Sequence, residues 1–383
     1  WLGSDTAYYA DVGLRVTGGQ WPYTQFAFEY PPLSLLLFIL PPLRGTLATY
    51  HTWFGAQMIA IGAVTAIITT AAAAHIWSGL GRPLAAAGAL ALGVVAAGAV
   101  AVDRFDGAVA LVLALTVLSL VYRRWTAAGL LLGLGFAVKL MPIVLLPLDL
   151  VLARSRRNVA WATTAALAAA ALPFVPFVVH DFGGLRSSLF GMQAGRGLHI
   201  ESVAASPFLL AQVVWPGAIH IVPPHASLTI GGSGAEALGA AAPLVVLLLL
   251  ALVYAAVWRA RESLRTGPEG IPLAAMAIVL ATLCGNKVLS PQHLLWILPL
   301  VALALVSRPS LHKVAGGLVL CACILTQIEY PGMYWQQVAL EPTPLLVIAA
   351  RNALLVTAFG VAVVAVWRLP AAEMTEAPSS MGA

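Results

Sequence analysis

The sequence predicts an all-α, polytopic membrane bundle, and three observations predict it. Of 383 residues, 61% are hydrophobic and only 9% charged, against about 25% charged in a soluble domain; the mean hydropathy is +0.92. The apolar runs are long Ala/Leu/Val stretches without two-residue alternation. Lipid satisfies no backbone groups, so spans are helices or closed barrels, and the missing alternation selects helices. Third, the arginines gather in short links between the apolar runs, the mark of cytoplasmic ends. The formal charge of +5 and pI near 9.3 therefore report orientation, not nucleic-acid binding. Cys284, Cys321 and Cys323 lie in apolar segments without metal-ligand spacing, and no signal peptide is visible.

Residues 4–33 form the longest charged, aromatic-rich run, with Asp5, Asp11 and Glu29 among Tyr8, Tyr9, Tyr23, Phe28 and Tyr30. They read as an outer loop. Carboxylates beside rings at a membrane edge suit a hydroxylated substrate such as a sugar; an ordinary polar loop is the alternative. Tyr30-Pro31-Pro32 closes the run. Residues 33–43 are apolar but fall well short of the ~20 needed to span, so they predict a juxtamembrane or re-entrant helix.

Spans follow at 53–75, 84–102 and 107–122, the last two joined by the polar turn Asp103-Arg104-Phe105-Asp106. Arg123-Arg124 precede 125–153, and Arg154, Arg156 and Arg157 follow it. Both ends therefore share one face, which makes the segment a hairpin of two short helices tipped by Lys139-Leu140-Met141-Pro142. Residues 161–179 cross outward, and 180–236 read as a long polar loop with an apolar piece at Val203–Val214. The segment 238–258 returns to Arg259, Arg261 and Arg265. Spans at Ile271–Gly285, 289–306, 314–328 and 345–367 complete the bundle. Residues 1–370 are expected to form a single membrane domain and 371–383 a disordered cytoplasmic tail. No internal repeat is visible, which weighs against an inverted-repeat transporter.

With this parity, most carboxylates fall on the outer face. Four clusters there have complementary chemistry: the opening loop with Asp5, the turn Asp103–Asp106, Lys139 at the hairpin tip, and Lys287 to His293 entering a span. A carboxylate can take a proton from an acceptor hydroxyl while Lys, Arg and His hold a phosphate leaving group. Each also has a bland reading. Lys139 could snorkel, Asp103 and Asp106 could cap the next helix, and His293 could be an interfacial histidine. Arg351 could pair with a helix carbonyl or a lipid headgroup. Arg196, His199 and Glu201 could be solvated loop residues.

These stretches, in this order, resemble the GT-C membrane glycosyltransferases and specifically glycosyltransferase family 87. The match is carried by Ser4-Asp5 with Tyr8-Tyr9-Ala10, Phe28-Glu29-Tyr30-Pro31-Pro32-Leu33, Arg104-Phe105-Asp106, Val138-Lys139-Leu140-Met141-Pro142 with Leu145-Leu146-Pro147-Leu148, and Ser290 to Leu300. It departs from many relatives at the hairpin tip, where Leu140-Met141 separate Lys139 from Pro142. The resemblance implies a GT-C bundle with a juxtamembrane helix and an extracytoplasmic first loop. That loop usually follows a first span, so one helix is expected ahead of Trp1. The resemblance makes Asp5 the catalytic base and places Lys139, His293 and Arg104 at the donor phosphate. Tyr8, Tyr9, Glu29, Tyr30, Asp106, Gln292, His199 and Glu201 are assigned to substrate binding.

The expected activity is inverting transfer of a hexose, mannose in first place, from a polyprenyl-phosphate donor to a hydroxyl of a lipid-linked glycan. Its place would be the outer face of the plasma membrane, among membrane lipids. No cofactor is expected, and a metal is not demanded, since Lys and Arg can neutralise the phosphate. No Gly-rich phosphate loop is present. A lipid or sugar transporter, and arabinofuranosyl transfer by the same fold, stay open. Ala richness and the Arg-over-Lys bias fit a GC-rich bacterial genome, and the resembled family includes actinobacterial mannosyltransferases.

Overall fold

The computed structural model describes residues 5–222, 228–232 and 234–370; the tail 371–383 and Ser4 lie outside them. Against expectation, the opening run is not a loop throughout: Asp5–Thr17 forms helix α1. Thr6, Tyr9, Ala10 and Gly13 recur at helical spacing and are buried together. Asp5 opens the helix and Arg15 closes it, each charge favoured by the dipole at its end. Tyr9 stacks on Phe38 at 4.3 Å and meets Phe54 and Phe105, so an aromatic core seats α1 on the short helix α2, Ser34–Ile39.

Next come α3 (Leu47–Ile76), α4 (Gly81–Ala97), α5 (Val100–Asp103) and α6 (Gly107–Val121). The expected span 84–102 breaks at Gly98, whose φ of 61° suits glycine; a side chain there would run into Gln327. The hairpin at 125–153 is present as α7 (Trp125–Val138), a 3₁₀ turn and α8 (Leu146–Leu152). Its partner α9 (Arg156–Ala171) does not stop the span at 179. It continues through α10 (Val175–Leu185) and a π-turn into α11 (Met192–Gly195). The chain bends at Asp181, whose carboxylate accepts from Gly184 N–H at 2.9 Å and restarts the helix.

The described residues of the expected polar loop carry regular structure as well. The strands β1 (His220–Val222) and β2 (Thr229–Gly231) pair antiparallel, and α12 (Ser206–Val214) supplies the apolar piece. The bundle closes with α13 (Ala235–Arg259), α14 (Arg261–Thr266), α15 (Ile271–Gly285), α16 (Leu298–Val306), α17 (Ser310–Glu329), α18 (Tyr334–Val338) and α19 (Pro342–Trp367). The expected span 289–306 is replaced by extended chain, a 3₁₀ turn and the short α16, because Pro291 and Pro299 interrupt it. Every residue of α15 is buried, which makes it the central helix.

Among the described residues six stretches are long and apolar enough to cross a membrane: Leu47–Ile76, Arg156–Gly195, Ala235–Arg259, Pro268–Gly285, Ser310–Glu329 and Pro342–Trp367. At one end of the bundle the arginines tie the turns together. Arg123 donates to the Arg265 carbonyl, Arg265 to that of Val151 and Arg259 to that of Leu369. The carboxylate-rich turns lie at the other end.

Candidate active site

At that other end opens a cavity of about 1010 Å³. Of the residues expected to act there, Asp5, Glu29, Tyr30, Arg104, Lys139, His199, Glu201, Gln292 and His293 line it. The structure thus brings together chain segments nearly three hundred residues apart in sequence.

Asp5 sits in the first turn of α1, its carboxylate in an ion pair with Arg104 and 3.4 Å from the Tyr9 hydroxyl, which donates to it. The second terminal nitrogen of Arg104 donates to the Tyr330 hydroxyl at 3.0 Å. Arg104 directly follows α5, so the break at Gly98 that frees this turn from α4 also sets the guanidinium beside α1.

Lys139 is held more elaborately. Its ammonium lies 2.6 Å from Asp106 Oδ1, and the same oxygen accepts from Trp296 Nε1 at 2.6 Å. The ammonium also sits over the rings of Phe105, Trp296 and Tyr30, at 4.7, 5.3 and 5.7 Å. Asp106 is only 1% exposed. It anchors Lys139 from behind and does not line the cavity, nor do Tyr8 and Tyr9, whose rings belong to the aromatic core. The structure thus places these three behind the cavity wall and not among its lining residues.

His293 enters from the 3₁₀ turn. Its Nδ1 accepts from the Ser290 N–H at 3.2 Å in a capping box, which leaves Nε2–H as the ring's donor. The ring stacks on Trp296 at 4.3 Å. Glu29 pairs with Arg196. The cavity cations Arg104, Lys139 and Arg196 are thus each matched by a carboxylate, while Lys287 donates to the Ala194 carbonyl at 3.1 Å.

His199 and Glu201, open to a reading as solvated loop residues, are buried. Backbone pairing fixes them: His199 N–H donates to the Lys287 carbonyl and Ile200 N–H to that of Leu228. Burial holds the His199 imidazole down to about 4, with Arg351 and Arg196 adding to the effect. Burial pushes the Glu201 carboxyl up, against the pull of Arg351. Arg351, on α19, is 1% exposed; its Nη1 lies 3.4 Å from Glu201 Oε2. Among the described residues no group of three or more His, Cys, Asp or Glu is placed to hold a metal ion.

Sequence reasoning missed Trp296, Tyr330, Tyr334 and Trp335, all on the cavity wall. A signal was there. Glu-Tyr-Pro occurs at 29–31 and again at 329–331, both times at the cavity.

Three comparisons bear on this arrangement. Among solved structures the chain is similar to ArnT from Cupriavidus metallidurans in the apo state, at 15% identity and a TM-score of 0.49, covering 94% of this chain and 71% of that one. The same protein bound to undecaprenyl phosphate matches at 16% identity and a TM-score of 0.48, covering 93% and 71%. No curated protein sequence matches the chain. The model of glycosyltransferase family 87 matches residues 28–222, just over half of the chain and the stretch that carries Glu29, Arg104, Asp106, Lys139, His199 and Glu201; the chain belongs to glycosyltransferase family 87.

Proposed function

We propose that the chain transfers a hexosyl residue, mannose in first place, from a polyprenyl-phosphate donor to a hydroxyl of a lipid-linked glycan, with inversion. The reaction takes place at the extracytoplasmic face of the plasma membrane. The observation that carries this reading is a carboxylate, Asp5, braced by Arg104 at the edge of a cavity that also presents Lys139 and His293. Asp5 takes the proton of the acceptor hydroxyl as that oxygen attacks the anomeric carbon from the side opposite the phosphate. The bond from that carbon to the phosphate oxygen breaks, and the lipid phosphate leaves with the electron pair. Arg104, Lys139 and the His293 Nε2–H are the groups to receive the charge that develops there. One base suffices because phosphate leaves without protonation.

A transporter of similar composition would gather its polar groups around helices broken at mid-bilayer. Here the ionisable side chains of the cavity come from turns and helix ends at one end of the bundle. The test is incubation of purified protein with polyprenyl-phosphate-mannose and extracted membrane glycolipids, followed by product mass. A gain of one hexose on a glycolipid supports the reading. A pentose gain from an arabinofuranosyl donor, with mannose inert, replaces mannose by the arabinofuranosyl alternative. No transfer from either donor overturns the reading.

A further inference from the structure

Beyond Arg104 the cavity is lined by Tyr330, Pro331, Tyr334 and Trp335, outside the stretch matched to the family. Here α17 ends at Glu329, and the chain turns through Tyr330 and Pro331 into α18. Tyr330, Tyr334 and Trp335 line the cavity. Their rings stand edge to face, Tyr330 to Tyr334 at 6.0 Å and Tyr334 to Trp335 at 5.6 Å. Trp335 is 63% exposed, a large flat apolar face left open at the rim of a polar cavity.

Polar groups back these rings. Glu201 lines the same wall and the Gln337 side chain lies against its carboxyl. Its backbone is fixed from α19, where Asn352 Nδ2 donates to the carbonyls of Glu201 and Ser202 at 3.3 and 3.0 Å. Glu329 is 1% exposed, and neither of its carboxylate oxygens has a hydrogen-bond partner among the described residues. Flat rings for the C–H face of a pyranose, and a carboxylate for its hydroxyls, are the chemistry that recognises a sugar.

Which sugar is decided by position. A donor's phosphate needs cations, and residues 329–337 contain no Lys, Arg or His. The hydroxyl to be deprotonated must reach Asp5, and Arg104, paired with Asp5, also donates to Tyr330, which sets this segment beside the base.

We propose that Tyr330, Tyr334, Trp335 and Glu201 form the acceptor subsite: Trp335 and Tyr334 stack on the ring of the acceptor glycan and Glu201 takes its hydroxyls, with the buried Glu329 and Gln337 behind the rings. This assignment rests on the glycosyl-transfer reading above.

The experiment is steady-state transfer from polyprenyl-phosphate-mannose to the extracted glycolipid fraction, varying each substrate in turn. Trp335→Ala should raise the apparent KM for the glycolipid at least about tenfold, about 1.4 kcal/mol, with the donor KM and the thermal unfolding midpoint unchanged. Trp335→Phe, which keeps a ring to stack, should recover most of the loss. Active wild type with an unchanged acceptor KM in Trp335→Ala, or a rise confined to the donor KM, overturns the subsite and leaves the function standing. A wild type that transfers nothing overturns both.

Discussion

At the residue scale the site turns on how each charge is held. Asp5 is braced by Arg104 at the cavity edge, whereas Asp11, on the same helix, pairs with Arg15 at 2.8 Å on the exposed side. Asp5→Asn keeps the shape and removes the basicity, so turnover should fall at least about a hundredfold with donor binding nearly unchanged. Asp11→Asn should be mild, since exposed ion pairs contribute little. A dead Asp11→Asn beside an active Asp5→Asn would move the base. Lys139 presents a different problem. It serves both the cavity and the buried Asp106, so Lys139→Ala removes a donor contact and also strands a carboxylate. Breaking such a buried pair costs about 3–5 kcal/mol, enough to lower the unfolding temperature in detergent by itself. The double variant Lys139→Ala/Asp106→Asn should regain most of that stability while donor affinity stays weak. If the double variant recovers donor affinity too, Lys139 acts only through Asp106.

At the element scale, what could be read in advance followed from period and charge, and what could not depended on distant partners. The hairpin at 125–153 was legible because Arg124 and Arg154 flank it and a single span cannot have both ends inside. The short helix α2 was legible from its length and prolines. Helix α1 was not, since its apolar face is made of tyrosine, threonine and small residues that become buried only against Phe38 and Phe54. Nor was the continuation past Asp181, where a polar residue reads as the end of a span yet restarts the helix through Gly184. In the site, Asp5, Lys139 and His293 were visible as charges near membrane edges. Trp335 was not, because it follows a helix end whose relation to Arg104 only the fold reveals. Packing of α7 on α9 yields a prediction of its own. A side chain at Gly133 would run into the Ala166 carbonyl and lie 2.8 Å from Ala169 Cβ, so close approach of small residues holds this pair. Gly133→Leu should cost about 1–3 kcal/mol through overpacking, seen as a lower unfolding midpoint. Unchanged stability would mean that the two helices are not so closely packed.

For the whole molecule, the question is which end faces out. The ion pair between Asp5 and Arg104 already puts the opening segment and the 103–106 turn at one end, with the arginine-tied turns at the other. A lipid-linked donor can be reached from either side, so geometry within the bundle is silent on the compartment. Charge is not. Arg123, Arg124, Arg154, Arg156, Arg157, Arg259, Arg261 and Arg265 all lie in the turns, the helix ends beside them or the short α14 at the end away from the cavity, and positive residues in short connections are retained on the cytoplasmic side. On the proposed reading the cavity end is therefore extracytoplasmic. Cysteine labelling with an impermeant maleimide on intact cells checks this, in a background where Cys284, Cys321 and Cys323 are replaced. Ala218, exposed just before β1, and Arg157, exposed at the start of α9, report the two ends. Ala218→Cys should label on intact cells, and Arg157→Cys only after the membrane is opened. The reverse pattern would place the cavity in the cytoplasm, with the base facing a pool of soluble sugar nucleotides. The case for a lipid-linked donor would then have to be argued anew.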